Sequence, residues 1–189
     1  MAEFESNILR ATRDDCGDLS RLSTALFPLG CPVNTPAEDL LAFTSRELTA
    51  ERFTTFIDDT SNAILVARVS KQLAGFAMIA RAPTPSSSRA NVELRKFYIE
   101  PAFHGTGLAN ALMKEALAIP EAASTAGIWL SVFSGNGRAI AFYQRWGFRI
   151  IGAQTFVVGK DHQQDYLMEN ERLGQLRIER SLRDDPDVR

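Results

Sequence analysis

One segment restricts the fold more than any other. An apolar run ending at Tyr98 and Ile99 passes into His104-Gly105-Thr106-Gly107-Leu108-Ala109-Asn110, a cluster of small residues. Leu108, Leu112, Ala116 and Ile119 then recur at helical spacing. A strand therefore feeds a helix through a glycine-rich turn. The first N–H groups of a helix have no intrahelical partners, and its dipole favours an anion there. Glycines let the main chain approach a ligand closely, where a Cβ would obstruct it. A pyrophosphate is a natural ligand for such a turn; a tight turn without a ligand is the plainer account. A dinucleotide fingerprint needs Gly or Ala where Asn110 stands. A Walker loop needs Gly-Lys-Ser/Thr, and Gly107-Leu108-Ala109 does not supply it.

The rest of the chain switches hydrophobic period repeatedly, which predicts mixed α/β (α+β) structure. A first strand is expected over 8–12. Thr12 and Asp15 then cap a helix carrying Leu19, Leu22 and Leu26 on one face. Pro28, Gly30 and Pro32 break the chain, and Thr35-Pro36-Ala37-Glu38 reads as a capping box opening a second helix. A third helix over 50–58 follows a kink near Thr49. Helices placed this early can wall one side of a cleft. Strands over 63–69 and 73–79 flank a hairpin tip at Lys71-Gln72. The stretch 81–91, with Pro83, Pro85 and three serines, reads as a solvated connector or, more sharply, a flap beside a substrate. Further strands are expected over 92–99 and 128–133, with a helix over 136–146 stopped by Gly147. A hairpin over 149–158 and 164–168, turning at Gly159-Lys160-Asp161, closes the sheet.

The length, 189 residues, suits one domain over 1–170 with a charged tail over 171–189. Lys plus Arg is 21 against 23 Asp plus Glu, a net charge of −2, which lacks the footprint of a nucleic-acid binder. Neither a leader nor a membrane-length apolar run is visible, so a cytoplasmic protein without a membrane partner is expected. Cys16 and Cys31 are too few for a disulfide framework or a zinc site. His104 and His162 fall in different motifs, so no metal is expected.

The glycine turn resembles the acetyl-CoA loop of the GNAT superfamily of N-acetyltransferases, which reads Gln or Arg, two variable residues, Gly, one variable residue, then Gly or Ala. Gly107 and Ala109 match; His104 replaces the usual Gln or Arg. The cradle is mainly backbone, so that departure concerns one side-chain contact. Glu93-Leu94-Arg95-Lys96-Phe97-Tyr98-Ile99 is similar to the family's central strand. Asn136 with Ala139, and Phe142-Tyr143-Gln144-Arg145-Trp146-Gly147-Phe148, are similar to its next helix. The resemblance implies a mostly antiparallel sheet splayed in a V around acetyl-CoA, the co-substrate. It implies cofactor contacts from Phe97, Tyr98, Ile99, His104, Gly105, Thr106, Gly107, Leu108, Ala109, Asn110, Asn136, Ala139, Phe142 and Tyr143. Ser131, Val132 and Phe133 would line the other side of the gap. Homodimers are a further implication.

The implied reaction moves an acetyl group from a thioester to an amine. An alkyl amine has a pKa of about 10.4, so roughly one molecule in 2,500 is neutral at pH 7. A base helps the amine, a proton donor helps the departing thiolate, and backbone N–H groups serve the oxyanion. Tyr143 matches the family's proton donor; core packing at helical spacing with Ile140 and Trp146 is its plain account. Glu93 matches the family's base, against a carboxylate salt-bridged near Arg95 and Lys96. Leu94 and Phe97, three apart, imply a bulge that turns N–H groups near Tyr98 and Ile99 toward the thioester.

The terminal hairpin, with Gln163, Asp165, Leu167 and Met168, resembles that of bacterial spermidine/spermine N-acetyltransferases. A small-molecule amine is therefore the expected partner. Glu38, Asp39, Glu51, Asp58, Asp59 and Glu93 are the carboxylates considered for a cationic acceptor, and a charged helix surface is the favoured account of most of them. A protein N-terminal or lysine acetyltransferase, and an acyl-CoA sensor without catalysis, are the alternatives.

Overall fold

In the computed structural model the described residues are 6–86, 90–119, 122 and 127–170. The expected tail over 171–189, and part of the 81–91 stretch, lie outside them. The strands are β1 (Ser6–Arg10), β2 (Asn62–Val69), β3 (Gln72–Arg81), β4 (Val92–Ile99), β5 (Ile128–Phe133), β6 (Arg149–Val158) and β7 (Asp161–Asn170). The helices are α1 (Cys16–Leu26), α2 (Ala37–Glu47), α3 (Ala50–Asp58), α4 (Leu108–Ala118) and α5 (Gly137–Arg145). One sheet runs β1-β2-β3-β4-β5-β7-β6, antiparallel except where β4 meets β5.

The two sheet faces bury different sets. Ala77, Ile79, Leu94, Leu130 and Met168 pack beneath α4, with Leu112 and Met113, and take Phe97 and Tyr143 at the edge. Phe76, Met78 and Val66 pack on the other face against Leu19 of α1 and Phe53 of α3. Ala82 N–H donates to the Asn91 carbonyl and Thr84 N–H to that of Ala90, so the described ends of the 81–91 stretch are tied to each other. No described helix is long and apolar enough to cross a membrane.

Three local expectations shift. The hairpin tip is Ser70-Lys71, both at positive φ (50° and 70°), one residue earlier than the sequence suggested. β7 starts at Asp161 rather than 164, so the turn is only Gly159-Lys160. The capping box at Thr35 does not form: Pro36 is the N-cap and has no side-chain cap bond. The Thr35 hydroxyl is engaged elsewhere, donating to Asp161 Oδ2 (3.1 Å) and accepting from Gln163 Nε2 (3.0 Å).

At Thr49 the cap does form, its hydroxyl accepting from Arg52 N at 3.2 Å. Thr49→Ala should therefore cost about 1 kcal/mol. Thermal unfolding should show a fall of about 2–4 °C; an unchanged midpoint would rule out a stabilising cap.

Candidate active site

The parallel pair is the origin of the site. β4 and β5 share only two register pairs, Val92↔Ile128 and Glu93↔Trp129. From Leu94 onward β4 has no partner on that side, while β5 continues to Phe133. Opposite, against β3, Ile79 pairs Leu94 and Met78 pairs Lys96, which leaves Arg95 as the extra residue. The expected bulge is present, and it explains how Leu94 and Phe97, three apart, both reach the α4 face. It falls at Arg95, nearer the fork than Tyr98 and Ile99, so the N–H groups it redirects are those beside Arg95.

A cleft of about 990 Å³ opens from the fork. It is lined by β4 from Glu93 to Ile99, by Ser131 to Phe133, by the glycine turn, by α5 and by the segment joining α1 to α2. The early helices do form a wall, as their position suggested.

At the turn, Gly105 (φ 77°) and Gly107 (φ 93°) are left-handed, and a Cβ on either would meet nothing within 4 Å. Glycine is required there by backbone conformation, and the space in front is open. The N–H groups of Gly105, Gly107, Ala109 and Asn110 donate to no acceptor among the described residues. His104 ties the turn to both neighbours: Nε2–H donates to the Ile99 carbonyl (3.1 Å) and Nδ1 accepts from Arg138 Nη1 (2.7 Å). This tautomer follows from arginine being able only to donate. Arg138 is thereby held beside the open N–H groups. Thr106 turns its hydroxyl back to the Phe103 carbonyl, and Leu108 is buried beneath the turn.

On α5, Asn136 caps the helix, its Oδ1 accepting from Ala139 N at 3.1 Å, so only its amide NH₂ is left for the cleft. Phe142 stacks on Phe97 with centroids 5.5 Å apart. Tyr143 lies edge-on to Phe142 (5.7 Å) and Phe148 (5.8 Å). Its hydroxyl has no hydrogen-bond partner among the described residues, and burial pushes the phenol above its ordinary range. Tyr98 lines the cleft, as expected. Its ring packs on Phe76 (5.3 Å) on the α1/α3 face.

Glu93 accepts from Arg95 Nε at 2.8 Å, so the salt-bridged arrangement is present. None of Glu38, Asp39, Glu51, Asp58 and Asp59 borders the cleft. Asp58 pairs with Arg13 (2.8 Å), Asp59 accepts from Ser61, and Asp39 accepts from Lys160 N (2.8 Å), pinning α2 to the β6–β7 turn.

Several residues on the far wall are not assigned to the site by sequence, although Gln163 and Asp165 carry a family resemblance. Asp165 and Gln163 face the cleft from β7, with Gln154 from β6. Phe27 stacks on Phe43 (4.4 Å), which meets Phe156 edge-on (5.6 Å). Lys96 is pushed down to about 8 by burial and the neighbouring Arg95. The alternation Asp161-x-Gln163-x-Asp165 was the available signal: three polar residues on one face of a strand. Cys16 is buried at the start of α1; Cys31 borders the cleft, its thiol pushed up to about 11 by burial. Among the described residues no three His, Cys, Asp or Glu side chains group as a metal site.

Residues 34–148 match the model of the acetyltransferase (GNAT) family. An uncharacterized N-acetyltransferase of Mycobacterium tuberculosis is 37% identical over 157 residues, 83% of this chain and 97% of that protein. A spermine/spermidine N(1)-acetyltransferase of Bacillus subtilis is 34% identical over 87 residues, 44% of this chain and 57% of that one. The crystal structure of the PaiA N-acetyltransferase of Thermoplasma acidophilum, in complex with coenzyme A, superposes with a TM-score of 0.70. It does so at 17% identity, over 88% of this chain and 99% of that one.

Proposed function

The chain belongs to the GNAT acetyltransferase family and is an N-acetyltransferase, and on that premise we propose that it transfers acetyl from acetyl-CoA to a primary amine, a polyamine in particular. The observation that carries the co-substrate is the set of open N–H groups on left-handed glycines beside Arg138. Such a nest suits a pyrophosphate, and coenzyme A is the ligand of the Thermoplasma acidophilum protein. The polyamine reading has the support of the partial likeness to the Bacillus subtilis enzyme and of the acidic, aromatic far wall.

Gly105, Gly107, Ala109 and Asn110 would hold the phosphates through their N–H groups, with Arg138 adding charge. Phe97, Ala139 and Phe142 would flank the arm, and the Asn136 NH₂ is free to meet it. When bound, acetyl-CoA supplies the activated acyl group. Tyr143 remains protonated at working pH because burial raises its pKa, so it serves as a donor to the leaving sulfur. Arg95 holds the Glu93 carboxylate at 2.8 Å, and Glu93 takes the amine proton through water.

Free-thiol release from acetyl-CoA, measured across polyamines, monoamines and peptides, tests this reading. Release above the blank with polyamines is expected. Tight coenzyme A binding without release for any amine would instead leave a sensor.

A further inference from the structure

We infer that Asp165 is a specificity-determining residue, binding a cationic centre of the acceptor that is not the amine being acetylated. The inference rests on the transferase reading above and adds to it the group that sorts one amine from another.

Among the described residues three carboxylates border the cleft: Glu47, Glu93 and Asp165. Glu47 is paired with Arg46 (2.8 Å) and Arg52 (3.1 Å), and Glu93 with Arg95. Asp165 has no cationic partner among the described residues, although it is only 6% exposed. A carboxylate this buried is costly to keep charged unless a cation joins it. Its pKa is accordingly raised by burial, with Ser131 opposing the shift.

The side chain is nevertheless held in place. Ser131 Oγ donates to Asp165 Oδ2 at 2.7 Å, and Gln154 Nε2 donates to Ser131 Oγ at 2.9 Å. These bonds orient one oxygen and leave Oδ1 with no donor among the described residues. A relay of this kind fixes a carboxylate while leaving it half-satisfied, which is the condition for a ligand to complete it. Asp161 lies four residues along the same strand face, about 13 Å away. It carries no salt bridge among the described residues either, and accepts from Gln163 Nε2 at 2.9 Å.

The adjoining wall is apolar. Phe27, Phe43 and Phe156 form a continuous aromatic surface on the same cleft. A methylene chain suits it. Of the cleft cations without a salt bridge among the described residues, Arg138 donates to His104 beside the glycine turn and Arg145 lies over the Phe142 ring, while Lys96 has a depressed pKa, about 8, which softens its repulsion of a cationic ligand.

Chemistry then decides which amine Asp165 holds. An ammonium on a carboxylate is stabilised in its protonated form, and a protonated amine has no lone pair to attack a thioester. The group on Asp165 is therefore not the nucleophile. A second amine on the same molecule must react, so the favoured acceptors are alkyl diamines and longer polyamines.

The test is a ratio. A series of α,ω-diaminoalkanes and the monoamines of the same chain length are compared by kcat/KM. The wild-type chain is expected to favour the diamine by about tenfold or more, the scale of one charged hydrogen bond. In Asp165→Asn the preference should fall to near unity, with the KM for acetyl-CoA unchanged. Asp165→Glu should retain it, shifted in chain length. A merely structural role would lower both amines alike and leave the ratio intact, which would overturn the assignment; so would a wild type without preference, or Asn and Glu variants that behave the same. If no amine raises thiol release by the wild type, the transferase reading itself fails and the assignment falls with it.

Discussion

Tyr143→Phe is expected to lower kcat by about a hundredfold or more. The KM for acetyl-CoA should change by no more than about twofold, since the lost interaction is one made in the transition state. The structure makes this substitution unusually clean. The ring is held by Phe97, Phe142 and Phe148, and phenylalanine keeps all three contacts. The hydroxyl makes no hydrogen bond among the described residues, so its removal leaves no protein group unpaired. Unfolding free energy should therefore move by no more than about 0.5 kcal/mol. What remains to be lost is the proton. A departing thiol resembles cysteine, with a pKa of about 8.5, and leaves more easily when protonated. The sign of the Tyr143 shift matters here. A phenol raised above its ordinary pKa stays protonated as pH rises, so kcat should show no alkaline fall near the ordinary value of about 10. An unchanged kcat in the variant would remove Tyr143 from the chemistry.

How much of this was legible in sequence depends on how local the cause is. The ranges of β4, β5, β6 and α3 follow from apolar runs bounded by breakers, and they stand where the sequence put them. The bulge was legible because Leu94 and Phe97 violate alternation, which only an extra residue reconciles. The glycine turn was legible because a left-handed backbone needs glycine wherever it occurs. Thr35 shows the limit. Its four-residue pattern meets every local rule for a cap, yet its hydroxyl partners Asp161 and Gln163, more than a hundred positions away in the chain. Asp165 fails for the same reason. Its meaning lies in the salt bridges that Glu47 and Glu93 make and it does not, and those are tertiary facts. The early acidic residues fit the charged helix surface favoured for most of them, but sequence alone left it open, because charge on a helix reads alike whether it faces solvent, an arginine or a cleft.

Gly107→Asp should weaken coenzyme A binding by about a hundredfold or more. Two independent effects act in the same direction. Gly107 is the N-cap of α4 at φ 93°, a conformation that costs a residue with a Cβ roughly 1–2 kcal/mol. Its Cβ would also project into the open space in front of the turn, where nothing lies within 4 Å and where a phosphate must come close. The added carboxylate then faces an anion, and like charges set together cost several kcal/mol. Each 1.4 kcal/mol is tenfold in affinity, so the sum exceeds two decades. Gly107→Ala separates the contributions: it keeps the steric and conformational cost without the charge, and should lie between wild type and Gly107→Asp. Titration calorimetry with coenzyme A reads the three affinities directly, and thermal unfolding checks that the fold survives. Raising ionic strength should narrow the gap between the Ala and Asp variants, because only the charge term is screened. Equal affinities for Gly107→Asp and wild type would show that the phosphates bind elsewhere. The slight net acidity of the chain, −2, is no obstacle to an anionic ligand if four backbone N–H groups and one arginine receive it.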